Sequence, residues 1–509
     1  MSAPSGAHVF RERPSRIRII TYNCWGLKFI AQHRHERLTE IGLLLAAADP
    51  APDIVGLQEC WTQQDYRTIR DKTKHILPYG KFYYSGIFGS GLAILSRWPI
   101  EESDMYRYPL NGRPAAFFRG DWYVGKGVAS ARIRFGSAHK DVVEVFCTHL
   151  HAPYEAEPND SYLCHRTAQA WEIAKLLRHA SERGHLVIGL GDFNMRPLSL
   201  AHRLIETHSP VRDAWRILHP DSSLGSTEDI TESRRGRPIP TIEYNLVENG
   251  ATCDSALNTW RWNKGEQKKL RRGQEVIVNV KTQDPGAKRL DYIFFAPPDQ
   301  SFPAGPSLEW AVDSVNVGMT SRHPTLRCSL SDHFSVEATL VCRRKPLPLP
   351  SGMESAPTAP PTNDKSVTEM FGSTPRNSNI GTMVSLMPSS SCLFPISLYD
   401  EILMMISSYN LRERRQRRLR LYHFGAEIGI AAGCLTAIWW SPRNFVSFFL
   451  MLLSTIGLSA GVIDGLMGGL FVGSELRALK EFEWEVKNAR RMAAGGDPTD
   501  DLAEGEGKV

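Results

Sequence analysis

The sequence predicts an α/β catalytic body followed by a two-helix membrane hairpin, and three observations carry that prediction. Over residues 15–340 short apolar runs alternate with segments of helical period. Two of those runs, 128–135 and 142–148, are joined by the short turn 136–140, a hairpin signal that makes the sheet at least partly antiparallel. Near the C-terminus two long apolar runs flank a turn. Hairpins mixed with helical crossovers over this length suggest two packed sheets with helices outside.

Strand-like runs occupy residues 17–22, 54–58, 92–96, 128–135, 142–148, 186–190, 292–295 and 334–341, with helical patterns at 34–48, 63–73 and 166–182. Residues 220–283 are rich in Gly, Arg and Lys and weakly periodic, which reads as an insertion of loops and short strands. The chain has 509 residues and a net charge of +5, with its arginines concentrated near residue 415. Nine cysteines without ligand spacing argue against a disulfide framework or zinc ribbon and fit a reducing compartment. Residues 1–14 are polar and lack the apolar core of a signal peptide, so the body 15–342 is expected in the cytosol.

Residues 343–395 are rich in Pro, Ser, Thr and Asn and read as a disordered linker. A linker of roughly fifty residues spans on the order of forty ångströms and would let the body patrol a membrane. A basic juxtamembrane segment, 396–422, contains the run Arg412 to Arg420, and the apolar runs 423–440 and 445–463 follow, the second continuing weakly to 472. Each approaches the roughly twenty residues that a membrane-crossing helix needs. A buried helical hairpin of a soluble domain is the alternative; the run lengths, the Trp439-Trp440 pair and the flanking arginines favour the membrane. Gly425, Gly429 and Gly433, with Gly457, Ala460 and Gly461, supply small faces for close helix packing, and homodimerisation through the hairpin stays open. Basic residues before the first span, and Arg477, Lys480, Lys487, Arg490 and Arg491 in the tail 473–509, put both ends in the cytosol. The basic segment also suits anionic phospholipids as activators.

Candidate chemistry gathers at strand ends. Gly191-Asp192-Phe193-Asn194 follows an apolar strand, and residues two apart on an extended chain face one side, so Asp192 and Asn194 can share a cavity. A strand-end turn is the alternative reading. Asn23 and Glu59 also follow apolar runs, and Glu59 is a candidate oxygen ligand for Mg²⁺. His149 and His151 form an HxH pair suited to a metal or a phosphate. His333 opens a late strand as a candidate base beside Asp332, and Asp291 opens another, where an acid can orient that imidazole.

In this order Asn23, Gln58-Glu59, Thr148-His149, Gly191-Asp192-Phe193-Asn194, Leu290-Asp291-Tyr292 and Ser331-Asp332-His333 resemble the endonuclease/exonuclease/phosphatase superfamily, the deoxyribonuclease I-like fold. The resemblance implies a four-layer α-β-β-α sandwich with its active site on one edge. Residues 113–127 further resemble the so-called P-loop-like segment of the neutral sphingomyelinase branch, whose paired acid and lysine match Asp121 and Lys126. The segment 250–260 and the C-terminal hairpin fit that branch and, within it, the fungal inositol phosphosphingolipid phospholipases C.

The resemblance, together with the chemistry of the residues, implies a role for each. Glu59, with Asn23 nearby, would hold Mg²⁺ or Mn²⁺. His333, oriented by Asp291, would take a proton from water, while Asn194 and His149 bond the phosphoryl oxygens. Asp192 would position the water or serve as the base itself; Asp332 would contact the metal site. Lys126 would meet the anionic headgroup or pair with Asp121, with His151 behind. The substrate would be a membrane sphingolipid and the product ceramide, at an intracellular membrane such as the endoplasmic reticulum, with mitochondrial association as the other location. A nuclease, an inositol polyphosphate phosphatase and a catalytically dead membrane scaffold are the rivals; nucleic acid is not expected as a partner, since a nuclease has no use for a membrane hairpin.

Overall fold

The computed structural model describes residues 12–155, 159–298, 308–344 and 393–496. Residues 1–11 of the expected flexible N-terminus and 345–392 of the expected linker lie outside them. Twelve strands form two six-stranded sheets: β1 (Arg16–Asn23), β2 (Ile54–Gln58), β3 (Tyr79–Phe82), β4 (Ala93–Ser96), β5 (Ile100–Arg107), β6 (Gly127–Arg134), β7 (Val142–His149), β8 (Leu186–Asp192), β9 (Arg212–Asp213), β10 (Asp291–Ala296), β11 (Leu308–Gly318) and β12 (Ser335–Arg344). The strand orders are β11-β12-β1-β2-β4-β3 and β5-β6-β7-β8-β10-β9.

Side-chain alternation builds the layers. Ile17, Ile19, Ile54, Val145, Ile188, Leu190, Ile293 and Ala338 form the core between the sheets. The opposite face of the first sheet (Ile20, Tyr22, Val55, Leu57) packs on the helices Arg34–Ala47 and Gln63–Thr73. That of the second (Val128, Phe146, Val187, Phe294) packs on the helix Leu163–Glu182. The result is the four-layer α-β-β-α sandwich. The hairpin read at 136–140 joins β6 to β7 with Arg134 opposite Val142.

Four strands escaped the sequence reading. β3, β5 and β11 lie at or beside sheet edges, where solvent takes one face and no continuous apolar run is needed; β5 reads Ile-Glu-Glu-Ser-Asp-Met-Tyr-Arg. β9 has two residues. The insertion at 220–283 contains short helices, including Ile230–Ser233 and Lys264–Arg271, where short strands were expected.

Two helical runs, Ile396–Ile438 and Asn444–Ala493, are long and apolar enough to cross a membrane. The juxtamembrane segment is continuous with the first, here called the stem helix. The second ends in a π-turn, Met467–Phe471, and the tail helix Val472–Ala493. Stem residues Leu398, Tyr399, Ile402 and Ile406 and tail residues Leu479, Phe482 and Val486 share one core with the helix Leu163–Glu182. Arg490 Nε reaches Asp400 Oδ1 at 2.6 Å, tying tail to stem. The expected patrolling tether is thereby corrected: apolar burial seats the stem on the body. The packing faces differ too. A Cβ on Gly457 or Gly461 would strike Glu427, so the second span receives a side chain of the first, whereas Gly425, Gly429 and Gly433 face open space.

Candidate active site

Parallel pairing of β1 with β2 and of β7 with β8 brings their C-terminal ends to one edge, with Asn23 beside Gln58 and His149 beside Asp192. Antiparallel β10 starts at that edge, Asp291 opposite Asp192, and β12 begins just after His333. Motifs scattered over three hundred residues of sequence therefore converge. The approach is close: a Cβ on Gly191, at φ +144°, would lie 1.9 Å from Thr148 O, and one on Gly26 would lie 2.3 Å from Glu59 O. Trp25, Glu59 and Asn194 all adopt positive φ (47°, 54° and 45°). Left-handed backbone is strained for such side chains and is a hallmark of functional loops.

Asp192 is the hub. Its Oδ1 accepts from Asn194 N at 2.9 Å, and its Oδ2 accepts from Asn23 Nδ2 at 3.0 Å. One oxygen of Asp192 thus closes the strand-end turn, and the other faces the tip of β1. His149 Nε2 lies 3.5 Å and His333 Nε2 3.9 Å from that Oδ2. Burial, then Asp291, push Asp192 up to about 6. Asn194 Nδ2 donates to Leu150 O at 3.1 Å.

His333 Nδ1 stands 2.8 Å from Asp291 Oδ2, which leaves Nε2 turned to the site. Burial alone would lower its pKa, but Asp291 foremost, with Cys253 and Asp192, raises it well above the ordinary imidazole value. His149 goes the other way: burial, then Lys126, hold it well below, so it is neutral, and its Nδ1 is buried without a partner.

Glu59 Oε2 is buried without a hydrogen-bond partner. Burial, then Asp332, raise Glu59 to about 7. A sealed, unpartnered carboxylate oxygen among further carboxylates is a fit for a divalent cation, which takes oxygen donors. Among the described residues Asp192, Asp291 and His333 also place potential ligand atoms within 4.8 Å of one another. In that trio Asp291 Oδ2 is taken up by His333 Nδ1, so the edge offers two candidate cation sites, the trio and the unpartnered Glu59.

Lys126 and Asp121 act on each other through charge, while their direct contacts lie elsewhere. Buried Lys126 donates to Leu150 O at 3.1 Å and His149 O at 3.4 Å, and burial lowers its pKa. Asp121 instead faces His151, Oδ1 to Nδ1 at 3.5 Å. Burial would raise Asp121, yet His151 and then Lys126 bring it down to about 2. His151 is fully buried against the rings of Tyr162 and His165, so it supports the wall of the site.

Two positioning groups, Ser331 and Arg37, were missed, and the segment 250–260, singled out in the sequence, joins them. Ser331 Oγ donates to Asn23 O at 2.6 Å and accepts from His333 N at 3.2 Å, joining two catalytic loops; Asp332 sits beside it at 3.2 Å. Buried Arg37 donates to Cys24 O, Trp25 O and Leu330 O, stapling the same loops. The segment 250–260 cradles His333, with Phe334 N donating to Thr252 O at 2.8 Å. Ser331 stood inside a quoted motif; nothing local marks Arg37, whose partners are carbonyls of distant loops.

Comparison with known proteins agrees with this geometry. Residues 20–333 match the family described as Endonuclease/Exonuclease/phosphatase family. The chain is 36% identical over 483 residues to the inositol phosphosphingolipids phospholipase C of Schizosaccharomyces pombe, covering 94% of this chain and 96% of that one. With the protein of the same name from Saccharomyces cerevisiae it is 33% identical over 499 residues, 93% and 90% of the two chains. With sphingomyelin phosphodiesterase 2 of Rattus norvegicus it shares 36% identity over 256 residues, 48% and 59% of the two.

Proposed function

We propose a reaction for this protein from one premise: the chain belongs to the endonuclease/exonuclease/phosphatase family. It is a phosphodiesterase that hydrolyses inositol phosphosphingolipids, or sphingomyelin, in the manner of a phospholipase C, releasing ceramide and a phosphorylated headgroup. Similarity to the two yeast enzymes along nearly the whole chain supports that substrate class over nucleic acid or a soluble inositol phosphate. The two long apolar helices support a membrane-embedded enzyme, and their basic flanks favour a body in the cytosol, as at the endoplasmic reticulum. The exposed stem arginines Arg412, Arg414, Arg415, Arg417 and Arg418 favour activation by anionic phospholipid.

The observation that carries the chemistry is His333 held by Asp291, its free Nε2 aimed at the Asp192 hub. Glu59, with Asn23, holds the divalent cation; when bound, Mg²⁺ supplies positive charge for the phosphoryl oxygens. His333 takes the proton from the attacking water. The direction of its shift makes it a base only where part of the surrounding negative charge is offset. Asp192, fixed by Asn23, orients that water. Asn194 and neutral His149 stabilise the phosphoryl oxygens as charge builds on them. A new P–O bond forms, the bond to the ceramide oxygen breaks, and that oxygen takes up a proton as it leaves.

The test incubates the full chain and Mg²⁺ with inositol phosphoceramide, sphingomyelin, plasmid DNA and a phosphoinositide. Ceramide release that vanishes in His333→Ala supports the reading. DNA nicking or inorganic phosphate release alone overturns it.

A further inference from the structure

The wall between the catalytic body and the membrane hairpin is built by the segment 113–125. Arg113 Nε lies 3.3 Å from Glu413 Oε1, and Ala115 O accepts from Arg420 Nη2 at 3.5 Å. Between those partners the stem helix rises about 10 Å toward the start of its span. Further on, the Trp122 ring packs on Phe471 at 4.8 Å, the last residue of the π-turn at the foot of the second span. A second loop is fastened to the same wall: Ile87 N donates to Tyr123 O and Ser85 Oγ to Gly125 O, each at 2.7 Å. The wall therefore meets the hairpin at the level where its spans begin and end, and the second loop is fastened to that wall.

These loops carry large apolar side chains without protein cover: Ile87 is 70% exposed, Phe88 61%, Phe117 62% and Phe118 75%. Single exposed apolar residues are ordinary; four on two segments hydrogen-bonded to each other make a patch. The hairpin anchors that level at the bilayer surface, so lipid is the neighbour the patch must meet. Its setting is that of an interfacial site, with aromatic and aliphatic groups on a wall that Arg420 of the basic stem touches. The geometry points to Ile87, Phe88, Phe117 and Phe118 as a docking face that dips into the leaflet from which the hairpin hangs.

The wall also leads straight to the site. Asp121 and Lys126 follow Phe118 in the same segment, and Lys126 reaches the carbonyls of His149 and Leu150. Seating the loops sets the catalytic edge at headgroup depth, so the enzyme takes lipid from its own leaflet. That last step rests on the proposed function; the docking does not.

The experiment uses the full chain reconstituted in phosphatidylcholine–phosphatidylserine vesicles. An environment-sensitive fluorescent amino acid replaces Phe88, Phe118 or, as a control, exposed His139 in the turn at the far end of β6 and β7, roughly 25 Å from the site edge. Nitroxide-labelled lipid is expected to quench the first two at least about threefold more than the control. Equal quenching, or a blue shift at 88 and 118 that lipid nitroxides leave unquenched because a second protein covers them, overturns the docking. In a second measurement Ile87, Phe88, Phe117 and Phe118 are replaced together by serine. About a tenfold loss on phosphosphingolipid in the same vesicle is expected, with hydrolysis of a short-chain, water-dispersed analogue kept within about twofold. Equal loss on both overturns it. Quenching as expected in a native chain that cleaves neither lipid would overturn the proposed function and leave the docking face standing.

Discussion

Asn23 Nδ2 donates to Asp192 Oδ2 across 3.0 Å, a bond between the tips of β1 and β8 that joins the two sheets at the catalytic edge. That oxygen also faces His149 and His333, so the amide fixes how the carboxylate opens. Asn23→Ala is expected to lower kcat about 10²-fold while costing on the order of 1 kcal/mol of stability. Turnover and denaturation midpoints measure the two. Unchanged kcat would mean that Asp192 needs no fixing.

His333 and Asp291 are joined at 2.8 Å and act as one unit in the proposed reaction. His333→Ala should reduce kcat by at least about 10³-fold, and Asp291→Asn by a comparable factor, because the amide no longer favours the tautomer that leaves Nε2 free. The double variant should be no worse than His333→Ala. Multiplicative losses would show that the two residues work separately.

Glu59 supplies a metal test with a readout other than turnover. Its pKa is raised to about 7 by burial and Asp332, so in the metal-free protein it stays protonated between about 4.5 and 7 while the unfolded chain has ionised. Metal-free stability should therefore fall as pH rises through that window. Mg²⁺ at pH 7.5 should raise the melting midpoint, and Glu59→Gln should abolish that rise and flatten the pH dependence. An undiminished Mg²⁺ response in the variant would move the ion elsewhere, to the trio Asp192, Asp291 and His333.

Glu475 sits at the start of the tail helix, its Oε1 bonded by Tyr409 and 3.0 Å from His165 Nε2. Burial lifts it to about 8, and burial, then Glu475, lift its stem neighbour Glu413 to about 7. Arg113 and Arg412 offset the shifts only in part. Both acids hold their protons when folded and lose them when unfolded, so the seat of the stem weakens as pH climbs from about 4.5 to 8. Glu475→Gln, which mimics the protonated acid, should match the native chain at pH 5 and exceed it at pH 8 by on the order of 1 kcal/mol or more. Thermal melts at the two values decide; a benefit at pH 5 as large as at pH 8 would refute a protonated Glu475.

The central strands and the site motifs were legible because both depend on local pattern. Ile54–Gln58, buried on both faces, is apolar up to its last residue, and a strand that ends in Gln58, Asp192 or Asn23 announces its tip. Edge strands such as β5 carry no such demand and stayed hidden. The motifs also included Asp192, Asp291 and His333, which the fold brings within reach of one another.

What only the tertiary structure decided is which of those residues touch. Asp192 became the hub because β7, β8 and β10 lie side by side in one register. Lys126 turned to carbonyls and Asp121 to His151, since buried charges go to whatever partner the packing sets nearest. The basic segment, read as part of a tether, became a stem seated on the body. Composition determined that those helices are apolar and basic; the complementary face of the helix Leu163–Glu182, assembled only by folding, determined where they rest.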